Sequence, residues 1–310
     1  MARNILFSAP DHLWDDYKDA LTQAFEQAGL RADLSRDHDP AVVDYIIYAP
    51  NAALTDFTPF TRCKAVLSLW AGVETIVTND TLSQPLARLV DPGLTQGMVE
   101  WVVGHTLRHH LGMDTHIHGQ DGIWRDHVPP LASDRPVTIL GLGALGAACG
   151  QALANLGFPV TGWSRGVKTV EGITCLHGSA GLNQALTDAE ILILLLPLTP
   201  LTHDLINAER IAHLANGGFV INPGRGALID DGALRAALDS GRIAHATLDV
   251  FRHEPLPADH PFWAHPKVTV TPHIASQTRP SSAANVIAQN IARCENGQPM
   301  KNLVNRKRGY

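Results

Sequence analysis

The chain has 310 residues, 45% of them hydrophobic and 17% charged, with a formal net charge of −6. That length and balance suit about two globular domains with a sizeable core, and a pI near 6.2 argues against the basic face that nucleic-acid binding usually needs. Cys63, Cys149, Cys175 and Cys294 form no C-x-x-C pair, so neither a zinc centre nor a disulfide framework is expected, and reduced cytoplasmic thiols fit best.

Met1 to Phe7 moves straight into a short strand, without the long apolar stretch and small-residue cleavage site of an export signal. Short apolar runs at Ile5 to Phe7, Tyr45 to Tyr48 and Ala65 to Leu69, with a helical pattern around Leu21 to Ala28, indicate α/β alternation. From Thr95 to about His118 a longer helix is expected, because Met98, Val102, Val103, Thr106, Leu107 and Leu111 recur at helical spacing. A second domain then begins with Val137 to Leu140, a glycine turn, and a helix striped by Leu145, Cys149, Ala152, Leu153 and Leu156 that Gly157 ends. Further strands are expected at Val160 to Trp163, Ile191 to Leu196, Phe219 to Asn222, Ala244 to Asp249 and Val268 to Thr271, with a helix around Ala233 to Leu238. Continuous apolar strands linked by helices imply a parallel sheet buried on both faces. The longest of them stops at Pro197 and is far too short to span a bilayer. A last helix with Ile287, Ile291 and Cys294 on one face has no new sheet to join, so it is expected to pack back on the first domain. Arg306-Lys307-Arg308 reads as a frayed, solvated tail.

Gly141-Leu142-Gly143-Ala144-Leu145-Gly146 follows a strand and opens a helix, the context that gives G-x-G-x-x-G its meaning. Gly141 permits the tight turn, Gly143 lets a pyrophosphate approach the backbone, and Gly146 allows close packing of helix on strand. The helix N-terminus then supplies amides and a positive dipole end to the phosphates. Where an NAD-binding chain usually has a carboxylate for the ribose 2′-hydroxyl, this one has Trp163-Ser164-Arg165, with Lys168 nearby. Without a carboxylate to repel a 2′-phosphate, and with a guanidinium to grip it, NADP(H) is expected over NAD(H).

Arg225, Glu254 and His273 stand at the ends of three expected strands, where such sheets bind ligands. An arginine can grip a carboxylate and polarise a neighbouring carbonyl. A histidine can pass a proton, and a carboxylate beside it favours the charged imidazole. His105 and His109 lie at i, i+4 spacing with His110, His116 and His118 close by, but no H-E-x-x-H pattern appears, so a polar helix face is expected and no metal.

At these residues the chain resembles the D-isomer-specific 2-hydroxyacid dehydrogenases over nearly its whole length. Within that family it is similar to the NADPH-preferring bacterial glyoxylate/hydroxypyruvate reductases. The likeness rests on the glycine turn with Trp163-Ser164-Arg165, on Arg88 to Leu107, on Leu248-Asp249-Val250-Phe251 through Glu254-Pro255-Leu256-Pro257, and on His273-Ile274-Ala275. The resemblance implies that Arg225 orients a 2-oxo acid, His273 is the general acid and Glu254 holds and charges it. Asp249 would bond the nicotinamide carboxamide, and Pro197 would join the glycine turn, Ser164, Arg165 and Lys168 at the cofactor. Backbone amides of Ala71, Gly72 and Val73 would receive the substrate carboxylate. Trp70 and Glu74 flank that loop where many relatives carry a small residue and an Asp, which leaves pocket size open. A homodimer is implied too. Trp124, in Gly122-Ile123-Trp124, either projects across that interface or packs in a core.

The fold reading is α/β with two Rossmann-like domains. A doubly wound dinucleotide-binding domain (97–276) is inserted in a smaller flavodoxin-like substrate domain (1–96 and 277–310). The expected activity is reduction of glyoxylate and hydroxypyruvate with NADPH. One competing reading is a dehydrogenase for a bulkier 2-oxo acid, which Trp70 would exclude if it faces the pocket. Another is a dinucleotide-sensing, corepressor-like binding protein, which would have no need of Arg225, Glu254 and His273 together. A formate dehydrogenase is disfavoured, since that branch pairs its histidine with glutamine.

Overall fold

Near-continuous apolar runs can bury both faces of a strand, and three such segments form the centre of the first sheet. In the computed structural model, which describes residues 2–309, β1 (Arg3–Ser8), β2 (Ala32–Ser35), β3 (Tyr45–Tyr48), β4 (Ala65–Ser68) and β5 (Leu86–Ala87) lie in the order β2-β1-β3-β4-β5. Every pairing is parallel, and the order is that of flavodoxin-like sheets. Ile5, Phe7, Tyr45, Ile47 and Leu67 pack on one face with Leu21, Ala24 and Phe25 of helix His12–Gln27. Ala283, Ala284, Ile287, Ala288 and Ile291 of the last helix, Pro280–Glu295, complete that layer. Leu6, Ile46, Tyr48 and Val66 point to the opposite face, against Phe57, Val73 and Ile76.

The second sheet has seven strands: β6 (Val137–Leu140), β7 (Val160–Ser164), β8 (Ile173–His177), β9 (Ile191–Leu194), β10 (Gly218–Asn222), β11 (Ile243–Leu248) and β12 (Val268–Val270). Their order is β12-β11-β10-β9-β6-β7-β8, all parallel. Strand order reverses between β6 and β9, so the glycine turn after β6 sits at a topological switch point, where doubly wound sheets bind ligands. The chain divides into two compact units, Met1–Leu94 with Gln277–Tyr310, and Thr95–Ser276. No helix among the described residues is long and apolar enough to cross a membrane.

Several expectations need correction. β2, β5 and β8 went unseen because they are short or half-buried, and none is an apolar run. Leu156 lies outside the helical stripe and is exposed. The long helix spans Pro92–His110 and then breaks, since Gly112 is left-handed at φ 63° before a short helix at Met113–Ile117. The basic tail is docked, not frayed. Arg306 donates to the carbonyl oxygens of Asn79 (2.7 Å), Val77 and Leu82, while Leu303 bridges Ala87 beside it.

The histidines are also misread by the expectation of a polar helix face. His109 and His110 are buried. The His109 ring stacks 4.8 Å from Phe219, lies 5.2 Å from His245, and sets its Nε2 at 2.9 Å from Thr247 Oγ1. His245 Nε2 in turn meets Thr269 Oγ1 at 2.8 Å. Burial first, then His245 and Arg108, push His109 down to about 3, and burial and Arg108 push His245 down to about 4. Asp114 opposes the shift of both, less strongly. Both rings bind protons less readily folded than unfolded, so their contribution is complete above pH 6.5 and is lost as pH falls from there towards 4. At pH 5 the loss is at most about 2 kcal/mol for each imidazole. Thermal melts should therefore show the wild type losing more stability between pH 8 and pH 5 than His109→Gln or His245→Asn; equal losses would refute this account.

Candidate active site

Three strand ends in the second unit carry the residues singled out for the reaction. After β10, the buried Asn222 shapes the loop Asn222-Pro223-Gly224-Arg225-Gly226. Its Oδ1 accepts from Gly224 N at 3.1 Å and its Nδ2 donates to Arg225 O at 3.0 Å. Arg225 is half-buried, with Nη1 donating to Gly224 O at 2.7 Å. A Cβ at Gly226 would lie 2.0 Å from the carbonyl carbon of Phe251, so only glycine lets this loop press against the next.

That next loop follows β11 and carries Glu254. One carboxylate oxygen accepts from Phe251 N at 2.8 Å, and the other lies 2.6 Å from His273 Nδ1. An ionised carboxylate only accepts, so the bond assigns the Nδ1 proton and leaves Nε2 for exchange with a reacting group. Arg252 anchors the same loop by pairing with Asp204 and, at 3.3 Å, with Asp231.

His273 follows β12 with φ 53°, a conformation that side-chain-bearing residues adopt only where their surroundings impose it. Asp249 imposes it here. Its carbonyl accepts from His273 N at 2.9 Å. Its fully buried carboxylate accepts from Thr271 Oγ1 (2.6 Å), Ile274 N (2.9 Å) and Ala275 N (2.8 Å). The sequence reading aimed Asp249 at the cofactor and missed this bracing role, along with Asn222 and Thr271. Their available signal was a polar residue closing an apolar strand.

The glycine turn is shaped by close approach. A Cβ at Gly141 (φ 113°) would sit 2.4 Å from Leu195 O, and one at Gly146 would sit 1.8 Å from Gly141 O. At Gly143 a Cβ would meet nothing within 4 Å, so the approach to the turn is open. Helix Ala144–Asn155 begins there, with Ala144 and Leu145 in its first turn. At the end of β7, Trp163 is buried and donates to Gly178 O at 2.8 Å, Ser164 Oγ donates to Gly166 O at 2.8 Å, and Arg165 and Lys168 are exposed on the turn that follows. Pro197, past β9, is half-buried and accepts from Thr202 Oγ1 at 2.7 Å.

Trp70, Ala71, Gly72 and Val73 belong to the first unit, at the carboxyl end of β4. Trp70 is 42% exposed and Val73 is buried. Ser68 Oγ donates to Trp70 O and accepts from Trp70 N, both at 3.0 Å, and Leu89 N also donates to Trp70 O at 3.0 Å.

Residues 102–275 match the family described as D-isomer specific 2-hydroxyacid dehydrogenase, NAD binding domain. The chain belongs to that family. It is 38% identical over 315 residues to a glyoxylate/hydroxypyruvate reductase A of Serratia proteamaculans, covering 99% of this chain and all of the relative. Among solved structures it is similar to a D-isomer specific 2-hydroxyacid dehydrogenase of Xanthobacter autotrophicus in complex with NADPH and MES, at TM-score 0.92 and 42% identity over all of both chains. An NADPH-dependent glyoxylate/hydroxypyruvate reductase of Sinorhizobium meliloti, in complex with NADP and sulfate, gives TM-score 0.90 and 34% identity over 99% of this chain and all of that one. As a member of the family the protein is an NAD(P)-dependent oxidoreductase acting on CH–OH groups, with two α/β domains built on parallel Rossmann-like sheets. That enzymatic assignment sets aside the sensor reading.

Proposed function

We propose that this dehydrogenase reduces small 2-oxo acids with NADPH, glyoxylate to glycolate and hydroxypyruvate to D-glycerate. The 2.6 Å contact between Glu254 and His273 Nδ1 carries the reading, because it prepares an imidazole for proton transfer beside a dinucleotide turn. The open approach at Gly143 fits a pyrophosphate seated on the amides of helix Ala144–Asn155. The bound dinucleotide supplies the hydride. His273 gives the 2-oxo carbonyl oxygen its proton, Glu254 holds that histidine, and Arg225 grips the carboxylate and polarises the carbonyl. Amides of Ala71, Gly72 and Val73 receive the substrate carboxylate. Asp249 keeps the His273 turn in place and faces the carboxamide end of the cofactor through that turn, and Pro197 borders the cofactor.

Arg165 and Lys168 read the 2′-phosphate from the turn that Ser164 closes. The NADPH and NADP bound to the relatives from X. autotrophicus and S. meliloti support this preference. Ser164→Asp should move the ratio of kcat/KM values towards NADH by about tenfold or more, since a carboxylate there repels the phosphate and bonds the 2′-hydroxyl. An unchanged ratio would remove this turn from cofactor selection.

The homodimer is part of the same proposal. Trp124 is 92% exposed, which rules out the core-packed alternative, and Ile123, Val128 and Leu131 are exposed around it. Single exposed apolar residues are ordinary, but four in one short connection suit a surface that a second copy covers.

The fall in 340 nm absorbance with glyoxylate, hydroxypyruvate and phenylpyruvate, each with NADPH and NADH, tests the reading. Fast turnover of both small acids with NADPH is expected. Turnover of phenylpyruvate alone would move the function to a bulkier acid.

A further inference from the structure

The loop that carries Glu254 is not fixed by hydrophobic burial. Thr247, Leu248, Asp249 and Val250 are buried, but none of residues 251 to 260 is. A segment with so little buried surface opens easily unless polar contacts hold it. Arg252, half-buried, makes three of them: Nη2 donates to the Asp204 carboxylate and to Ile229 O, and Nε faces Asp231 Oδ2 at 3.3 Å. The rigid fork of a guanidinium suits acceptors that lie in different directions, whereas an ammonium on a flexible stem does not.

The three acceptors share one platform. Asp204 N donates to Ala227 O at 2.9 Å, Ile206 N to Leu228 O at 2.9 Å, and Asp230 N to Ile206 O at 3.0 Å. The segment Asp204 to Ile206 is thereby tied to the stretch that continues the Arg225 loop into helix Asp231–Asp239. Asp204 has φ 50°, a conformation that few side chains other than Asn and Asp tolerate, and its second carboxylate oxygen lies 2.9 Å from His203 Nδ1. Its carboxylate is therefore held in place for Arg252. The Glu254 loop thus meets the continuation of the Arg225 loop twice, through Phe251 against Gly226 and through Arg252 on the platform. Two segments that touch at one point can still pivot, and a second attachment removes that freedom.

We propose that Arg252 is a positioning residue for proton transfer. It stops the loop from pivoting about the Gly226–Phe251 contact and so keeps the Glu254 carboxylate, two residues on, at 2.6 Å from His273 Nδ1. The inference rests on the proposed roles of Glu254 and His273 and goes beyond them, because it makes the rate depend on a residue outside that pair.

The test compares Arg252→Met, which keeps an apolar stem, and Arg252→Lys with the wild type, each also combined with Glu254→Gln. Glyoxylate kinetics at saturating NADPH and hydrogen exchange of the Phe251 amide, which donates to Glu254 at 2.8 Å, are measured for each. Arg252→Met should lower kcat about ten- to hundredfold, the cost of displacing a positioned group by about 1 Å, with KM for glyoxylate nearly unchanged. Added to Glu254→Gln it should lower kcat by no more than about threefold, since residues that act as a unit are not additive. A role in stability alone would give the same loss in both backgrounds. Arg252→Lys should recover part of the rate, and the Phe251 amide should exchange faster in Arg252→Met than in the wild type. If Arg252→Met does not fold, Asp204→Asn, which suits the same backbone and removes the charge, takes its place. An unchanged kcat, a loss confined to KM, equal losses in both backgrounds or unchanged exchange at Phe251 would each overturn the proposal. A wild type that reduces no 2-oxo acid would overturn the reading beneath it, and the exchange comparison would still decide whether Arg252 holds the loop.

Discussion

Replacing His273 by Asn should lower kcat about 10²- to 10⁴-fold, the usual worth of a positioned proton donor. Folding and dinucleotide affinity should hardly change. Asparagine tolerates the left-handed backbone that this position needs at φ 53°. The bonds from Asp249 to His273 N, Ile274 N and Ala275 N involve no part of the imidazole, so the turn survives the exchange. What disappears is the acid itself, and with it the 2.6 Å contact to Glu254. Glu254→Gln should act in the same direction with a smaller loss, because its amide oxygen can still accept from Phe251 N while the carboxylate that holds His273 Nδ1 is gone. Stopped-flow or steady-state reduction, with circular dichroism and NADPH binding as controls, measures both. A folded His273→Asn enzyme with most of its activity would take proton transfer away from His273.

Gly226→Ala should be nearly as damaging although it touches no reacting atom. The added methyl would lie 2.0 Å from the carbonyl carbon of Phe251 and 2.4 Å from its Cα, so backbone on one side or the other must retreat. One side carries Arg225 and the other carries Glu254. A displacement of about 1 Å in either positioning group costs about 100-fold in rate, and kcat/KM should fall by that order or more. Overpacking of this kind also costs about 1–3 kcal/mol of stability, so the melting temperature should drop in parallel. Gly224 is the instructive contrast. A Cβ there meets Leu194 O at 2.7 Å and the flexible end of Leu228 at 3.2 Å, a milder conflict that should produce a smaller fall. Equal, near-normal kinetics for Gly226→Ala would show that contact between the two loops does not set the geometry.

Much of the fold could be read directly from residue order. Val137 to Leu140, Ile191 to Leu194 and Tyr45 to Tyr48 are buried on both faces, so burial left an unbroken apolar run in the sequence. Three of the four edge strands leave no such trace: Ala32–Ser35 and Ile173–His177 are half-buried, and Leu86–Ala87 is two residues long. The histidines of helix Pro92–His110 failed for the opposite reason. Their type suggests solvent, but Phe219, Thr247 and His245, more than a hundred residues away, offer a stacked ring, a hydroxyl and a second imidazole that make burial of a neutral ring tolerable.

By itself the sequence determined the reaction class and the order of the candidate groups, because the glycine turn, Arg225, Glu254 and His273 each sit next to a strand whose apolar composition announces where it ends. Only the tertiary structure decided how those groups are held. The bracing of the His273 turn by Asp249 and the contact of Gly226 with Phe251 both join separate strand ends. Hydrogen bonds and van der Waals contacts act over a few ångströms in space. A chain read in order shows which residues end each strand, but not which ends meet.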